Sequence, residues 1–273
     1  MCQMSFEDRL AFIAEGLPII LASAEGFQGG SCQITDYPRE AEVLEGFAKE
    51  EAAKILILID AVRCPPSRVA STISLITRRF YDHQARLIYA QVAEWWCENV
   101  ARMRVAVEPL RKTHYLEGNM GEYILPNSTI YQRESKLYAD IEVYEDGLPV
   151  WSAPRGFPIR FHHVPAALSV CKAMSALGMF TLAGLSAISE IWGQEFFTET
   201  ESNRDAERLT KALIERLIVE GLPSVDASQE HVDALYRHWP LPMYDVDLTP
   251  IPVTLDELKK EQERLLWADV GDP

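Results

Sequence analysis

The sequence lacks the short motifs that mark several common enzyme classes. It contains no glycine-rich loop that would cradle a phosphate, no Gly-x-Ser-x-Gly and no His-Glu-x-x-His. These absences give no support to a nucleotide hydrolase, a serine hydrolase or a zinc protease. The five cysteines are scattered, and no two form a Cys-x-x-Cys pair. This spacing argues against a disulfide framework or a zinc ribbon and predicts reduced thiols in a cytoplasm.

The sequence also lacks a clear export signal or membrane span. Its apolar start is similar to a signal peptide, but Glu7 and Asp8 stand where basic residues are expected, and Pro18 interrupts the apolar run. Ser5 followed by Asp8 predicts a helix N-cap instead. Residues 173–189 carry no charge but are short for a span and are diluted by Ser, Thr and Gly. A buried helix or one face of a dimer is favoured there, and we expect no membrane association.

Positive charge is scarce and uneven. The net charge is −15, yet residues 61–112 hold nine Arg and Lys against four Asp and Glu. The acidic remainder argues against nonspecific wrapping of nucleic acid. A local basic groove would still suit RNA, although a solvated charged face has the same composition.

Periodicity predicts a mainly α fold. Apolar residues recur at helical spacing, and the predicted helices span 5–29, 41–62, 67–104 (as one helix or as two with a bend near the arginines), 165–197, 203–221 and about 254–267. Residues 122–151 are rich in Tyr, Ile and Val and predict a β-hairpin or meander. The predicted domains are a helical bundle over 1–108, a small β insertion over 109–160, and C-terminal helices with a proline-rich tail over 161–273.

The predicted helix 41–62 carries acidic residues near its apolar seam. The spacing places Glu51 on that seam and Glu50 beside it as an exposed pair with Lys54. A carboxylate that faces the interior needs a cationic or hydrogen-bonding partner, so an Arg or Lys is expected to meet Glu51. The two interpretations are an internal salt bridge and a carboxylate that orients a catalytic group.

The segment "TRRFYDHQAR" carries the sharpest candidate site. On a regular helix Arg79 and His83 share a face, whereas Arg78 lies about 140° from His83. Histidine titrates near neutrality and can take the proton of a ribose 2′-hydroxyl. Arginine suits a phosphate whose negative charge grows in the transition state. An exposed helix turn with no catalytic role is the alternative, because this spacing is common.

Other candidates carry weaker signals. His162 and His163 are adjacent but have no third ligand at a useful spacing, so a loop or capping role is favoured over a metal site. His114 either contacts RNA or is an exposed linker residue. Four aromatic residues near the predicted hairpin either stack on bases or pack against neighbours, with packing favoured: Tyr131, Tyr138, Tyr144 and Trp151.

Three stretches, taken in order, resemble a known family. "KEEAAK" resembles a Glu-Glu-x-x-Lys helix, "RRFYDHQAR" a histidine helix, and "KLYADIEVYEDGLPVW" a Leu-Tyr-x-Asp strand that leads to a tryptophan. Their order and spacing resemble the AbiV family of bacterial abortive-infection proteins, which belongs to the HEPN superfamily of helical-bundle nucleases. The resemblance covers roughly residues 8–155.

The resemblance implies a HEPN-like bundle that pairs with a second copy, so that two Arg/His motifs meet in one cleft. Arg78-x4-His83 fits the superfamily's Arg-x4–6-His pattern, whereas Arg79-x3-His83 does not. Members often carry Asn, Asp or His directly after the arginine, and this chain has Arg79 there, so either arginine is a candidate phosphate ligand. The expected supporting residues are Glu51, Lys54 and Asp82, and the expected RNA-binding residues are Arg86, Arg102, Arg104 and His114.

The resulting expectation is a cytoplasmic, metal-independent endoribonuclease of antiphage defence that cleaves RNA by 2′-hydroxyl attack. It needs no cofactor, and its partners are RNA and a second copy of the chain, without DNA or a membrane. The alternative is a non-catalytic helical module that captures a phage or host protein. The basic run favours the enzyme, and the acidic remainder favours the module.

Overall fold

The structure, a computed structural model, describes residues 1–119, 121, 123–143, 148–156 and 164–269. Within these residues the chain is mainly helical, as the sequence predicts, and contains two short hairpins. The helices are α1 (Phe6–Gln33), α2 (Pro38–Arg63), α3 (Pro66–Tyr81), α4 (His83–Val92), α5 (Val100–Arg111), α6 (Ser128–Leu137), α7 (Ala166–Ala176), α8 (Leu182–Trp192), α9 (Asn203–Val219), α10 (Gln229–His238) and α11 (Leu255–Asp269). The strands are β1 (His114–Glu117), β2 (Tyr123–Pro126), β3 (Asp140–Val143) and β4 (Pro149–Ser152).

Helix α2 lies at the centre of the bundle. It contacts α1, α3, α4, α6, α7 and α8. Every residue from Ile55 to Cys64 is buried, because this stretch is apolar on nearly all sides and therefore needs neighbours on all sides. One hydrophobic core extends from Leu10 in α1 to Leu248 near the C-terminus.

Helix α1 begins where the sequence predicts but continues further. The Ser5 side chain accepts a hydrogen bond from the Asp8 amide at 3.1 Å, which confirms the N-cap. The predicted end at residue 29 is wrong, since the helix passes through its glycines to Gln33. A Cβ atom at Gly30 would lie 3.3 Å from the Leu44 side chain. The glycine therefore serves close packing of α1 on α2 rather than a turn.

Among the described helices, α1 alone is long and apolar enough to cross a membrane by length and composition. About a quarter of its most apolar stretch is buried (28%). The buried side packs against α2, α7 and α8. This arrangement is compatible with a bundle helix of a soluble protein.

The segment predicted as 67–104 consists of three helices. Of the two alternatives left open, a single helix or two helices with a bend near the arginines, the structure has the bend: α3 ends at Tyr81 and α4 begins at His83. Asp82 between them has an extended backbone, and its carboxylate accepts a hydrogen bond from the Ala85 amide at 3.0 Å. Asp82, expected to support catalysis, is thus the N-cap of α4. A second break, before α5, was not predicted.

The region 122–151 contains a helix that the sequence analysis missed. The hairpin β1–β2 pairs His114 with Pro126, the hairpin β3–β4 pairs Ile141 with Trp151, and α6 separates them. Asn127 starts this helix, because its side chain accepts hydrogen bonds from two amides of the first turn, each at 3.1 Å. The predicted strands are thus present in part of this region. The prediction of one continuous hairpin or meander over 122–151 is wrong, because α6 interrupts it.

The predicted helix 165–197 is two helices. The chain turns at Gly178, whose φ of 80° lies in the left-handed region that glycine adopts without strain, and α8 then starts at Leu182. The small-residue stretch 173–189 is largely buried in the chain's own core, including Ala173 and Ala187. The interpretation as a buried segment is confirmed, and this stretch leaves little surface for a dimer face.

The predicted irregular tail includes a crossing segment, residues 239–249, that packs against the first half of the chain. The contacts between this segment and the first half of the chain are centred on Asp60 of α2, which is fully buried. Asp60 accepts hydrogen bonds from Arg63 Nε at 3.0 Å, from the Tyr89 hydroxyl at 2.8 Å and from the Met243 amide at 2.8 Å. Burial, with the Asp60 charge beside it, raises the pKa of Tyr89 well above its usual value, so its hydroxyl keeps its proton and donates.

Arg63 completes this buried network. Its guanidinium also donates to the Pro240 carbonyl at 2.9 Å. It packs against two adjacent indole rings, 4.9 Å from the Trp192 centroid and 4.8 Å from that of Trp239. A desolvated cation over aromatic rings is stabilised by their π electrons. The network therefore ties α2, α4 and α8 to the crossing segment.

All five cysteines are free thiols, in agreement with their scattered spacing. Cys2 and Cys32 are exposed, whereas Cys64 and Cys171 are buried. Burial raises the pKa of Cys64 to about 11. The buried thiols therefore stay protonated near neutral pH and act as core residues.

Candidate active site

Glu50, not Glu51, is the buried carboxylate of α2. Its side chain is 5% exposed. It accepts a hydrogen bond from Arg133 Nε at 2.7 Å, and Arg86 Nη1 lies 3.5 Å away. The expectation that cations meet an interior carboxylate is thus met at Glu50. Three helices, α2, α4 and α6, bring these groups together.

The sequence pattern placed Glu51 in the interior and Glu50 at the surface, whereas the structure buries Glu50. The reason is that α2 is covered on several sides. Successive residues of a helix lie about 100° apart, so Glu50 points between α4 and α6 rather than outward. Glu51 is half-buried and forms an ion pair with Lys54. Glu51 and Lys54 therefore make a local pair on α2, and no described contact joins them to His83.

His83 lies at the first position of α4 and is oriented by Glu50. Its Nδ1 atom is 2.6 Å from Glu50 Oε2, and its side chain is 52% exposed. An ionised carboxylate only accepts hydrogen bonds, so the hydrogen belongs on Nδ1. In the neutral ring Nε2 is then the basic nitrogen. This is the arrangement of a histidine held by a carboxylate and ready to take a proton.

The two candidate arginines occupy different environments. Arg79 is buried and donates to the Met243 carbonyl at 2.8 Å and to the Val246 carbonyl. It holds the crossing segment, and so the expectation that Arg79 binds a phosphate is wrong for this structure. Arg78, in the last turn of α3, is exposed, and no described residue accepts a hydrogen bond from its guanidinium. Arg78, five residues before His83 in the sequence, is therefore a cation that remains available for a ligand.

Much of the predicted basic groove is used inside the chain. Arg68 forms an ion pair with Asp245, and Arg111 with Asp247, so both bind the crossing segment. Arg86 is buried and donates to the Phe80 carbonyl at 2.8 Å besides its contact with Glu50. The expectation that Arg86 contacts RNA is wrong, because its guanidinium is occupied and enclosed.

The remaining predicted RNA-binding residues differ in exposure. Arg104 forms an ion pair with Glu199 at 3.1 Å. Arg102 is exposed, and its guanidinium has no partner among the described residues. His114 begins β1 and is half-buried, with Nδ1 3.3 Å from the Thr113 hydroxyl. The available positive charge is thus smaller than the composition suggests.

His162, His163 and Tyr144 lie outside the described residues. Within the described ranges, no group of three or more His, Cys, Asp and Glu side chains is arranged to hold a metal ion. The expected packing role is wrong for Tyr138 and Trp151, which are exposed, while Tyr131 is half-buried.

A cavity of about 280 Å³ adjoins Glu50. It lies between α2, α4 and α6, and Glu50 and Arg133 form part of its wall. The sequence analysis missed both Arg133 and this cavity, because it did not recognise α6. The cap signal was present, since Asn127 follows Pro126 directly before the helix.

The geometry defines a helical protein with a surface histidine oriented by a buried, arginine-bound carboxylate. No family model matches the chain, and neither a curated protein nor a solved structure does. The similarity to AbiV and HEPN proteins therefore rests on the three sequence stretches alone.

Proposed function

We propose that the chain is a metal-independent endoribonuclease of bacterial antiphage defence. The observation that carries this proposal is the contact between His83 Nδ1 and the buried Glu50, which leaves Nε2 basic on a half-exposed ring. The resemblance to AbiV proteins supplies the defence context and a cytoplasmic location, where RNA substrates are found.

The proposed reaction is an internal transesterification. His83 Nε2 takes the proton of a ribose 2′-hydroxyl, and the 2′-oxygen attacks the adjacent phosphorus. The P–O5′ bond breaks, and the leaving oxygen takes a proton from solvent. The products are a 2′,3′-cyclic phosphate and a 5′-hydroxyl end. Arg78 would neutralise the charge on the non-bridging oxygens. Arg86 and Arg133 hold Glu50, which positions the imidazole.

The purified protein is expected to cleave single-stranded RNA into fragments with those two ends. Addition of EDTA should leave the rate unchanged, because the base is a side chain. DNA of the same sequence should stay intact, because it lacks the 2′-hydroxyl. Mass spectrometry of the products distinguishes a cyclic phosphate from the ends that metal-dependent hydrolysis leaves. Products with 3′-hydroxyl ends would contradict the proposal.

A homodimer is the second element of the proposal, and the hairpin β3–β4 is its proposed interface. Ile141, Val150 and Trp151 of this hairpin are exposed, Trp151 by 79%. An isolated two-stranded hairpin is only marginally stable in water, so it gains from a partner. A second copy presents the same surface, and symmetric contacts of this kind close as dimers.

Trp151→Ser is expected to weaken the dimer by about 30-fold or more, the effect of losing a central aromatic anchor. Sedimentation over a concentration series measures the dissociation constant. Trp267→Ser is the matched control, since Trp267 is 75% exposed and belongs to α11, not to the hairpin. A dimer that tolerates Trp151→Ser as well as Trp267→Ser would rule out this interface.

The alternative, a non-catalytic module that captures a phage or host protein, is favoured by a separate observation. Arg63, Arg68, Arg79 and Arg111 all bind the crossing segment, so they are not available to RNA. Salt dependence discriminates the two functions: RNA binding that involves phosphates weakens steeply as salt rises, and a protein-capturing module shows no such slope for RNA.

A further inference from the structure

The cavity beside Glu50 ends close to the proposed catalytic histidine. His83, Leu87 and Gln91 succeed one another at four-residue steps on α4, so they lie on one face of that helix. Leu87 and Gln91 line the cavity. His83 stands one turn before Leu87, about 6 Å away between Cβ atoms, and two turns before Gln91. Glu50 belongs both to the cavity wall and to the His83 contact.

All but one of the charged residues of the wall are paired with one another. The exception is Glu94, which is exposed and has no partner among the described residues. Lys49 forms an ion pair with Glu45 at 3.0 Å, and Lys136 with Glu42 at 3.0 Å. Arg133 is bound to Glu50, as described above. Every cation of the wall has an acidic partner, and Glu94 alone offers too few ligands for a metal ion, so the cavity suits an uncharged ligand better than a phosphate or a metal ion.

The remaining wall combines apolar surface with two side-chain amides. Phe47 and Leu87 supply the apolar surface, and Gln91 and Gln132 supply the amides. No described residue is a hydrogen-bond partner of either amide. A carboxamide offers both a donor and an acceptor, which is the pattern found on the edge of a nucleobase. A flat apolar face with paired donors and acceptors is how proteins hold an unstacked base.

We propose that this cavity receives one nucleobase of the RNA, with Gln91 and Gln132 reading its edge. The inference rests on the proposed ribonuclease function and adds a base preference to it. The volume of about 280 Å³ lies below the range of pockets that enclose whole drug-sized ligands, so it accommodates a single base while the sugar and phosphate stay outside. A base held there would lie within about two helical turns of His83 on the same face of α4.

The test measures binding of the four ribonucleoside 3′-monophosphates to the full chain by calorimetry. One base is expected to bind more tightly than the other three. Gln91→Ala and Gln132→Ala should each weaken that binding by about 2- to 10-fold, the effect of one neutral hydrogen bond. Gln194→Ala, at an exposed glutamine outside the cavity, should have no effect.

The controls separate this inference from the ribonuclease proposal. His83→Ala should keep the base preference, because His83 does not line the cavity. A preference that depends on both glutamines, in a wild-type chain that fails to cleave RNA, would support the cavity assignment and overturn the ribonuclease. Equal binding of all four nucleotides, or no binding, would overturn the cavity assignment even if RNA is cleaved.

Discussion

His83→Ala is expected to slow RNA cleavage by about 10²–10⁴-fold, the usual effect of removing a general base. The fold should persist, because the half-exposed ring sits at the start of α4 and its removal leaves no core cavity. Glu50 would keep Arg86 and Arg133 as partners. The measurement is the single-turnover rate on a labelled RNA, with circular dichroism as the test of folding.

Two further experiments test whether His83 and Arg78 act in the reaction itself rather than in the fold. Added imidazole should partly restore cleavage by His83→Ala, since a free base can enter the vacated space, whereas a purely structural histidine would show no rescue. Arg78→Ala should lower the rate by about 10²–10³-fold, and Arg204→Ala, at another exposed arginine without a described partner, should not. Wild-type cleavage by His83→Ala would leave the binding module as the better proposal.

The sequence analysis identified the histidine and the need for a carboxylate, but not the pair that forms. Its reasoning assumed that α2 has one buried seam, and a central helix has several. The choice between Glu50 and Glu51 therefore depended on where α4 and α6 pack, and helical spacing carries no information on that. Arg133 was missed for a related reason, because the segment rich in Tyr, Ile and Val was assigned to strand throughout.

The basic run suggested more available positive charge than the structure leaves, because composition does not show what a charge pairs with. Arg63 and Arg79 bind residues far along the chain, separated from their partners by more than half its length. The crossing segment has no periodicity that would mark it as buried, so its contacts follow from tertiary structure alone. The helix boundary at Ser5 was predictable, because its cap is local, whereas the bend near the arginines was one of two alternatives, and its cap, Asp82, was not recognised.

Asp60→Ala is expected to lower the free energy of unfolding by about 3–5 kcal/mol, the cost of breaking a buried ion pair by removing one partner. Asp60 is fully buried and accepts from Arg63, Tyr89 and the Met243 amide. Its removal leaves the Arg63 guanidinium, which is buried against two indole rings, without its counter-charge. Urea unfolding followed by circular dichroism measures the change.

The controls for this prediction come from the same crossing segment. Asp245→Ala breaks a more exposed ion pair with Arg68 and should cost no more than about 1 kcal/mol. Asp60→Leu combined with Arg63→Met removes both buried charges, so it should recover much of the stability that Asp60→Ala loses. If Asp60→Ala costs no more than Asp245→Ala, the buried network is not what holds the crossing segment. Comparison of Asp60→Ala with the double variant separates two costs. Asp60→Ala leaves an unpaired buried charge, whereas the double variant leaves no charge, so any stability that it still lacks reflects lost packing and hydrogen bonds.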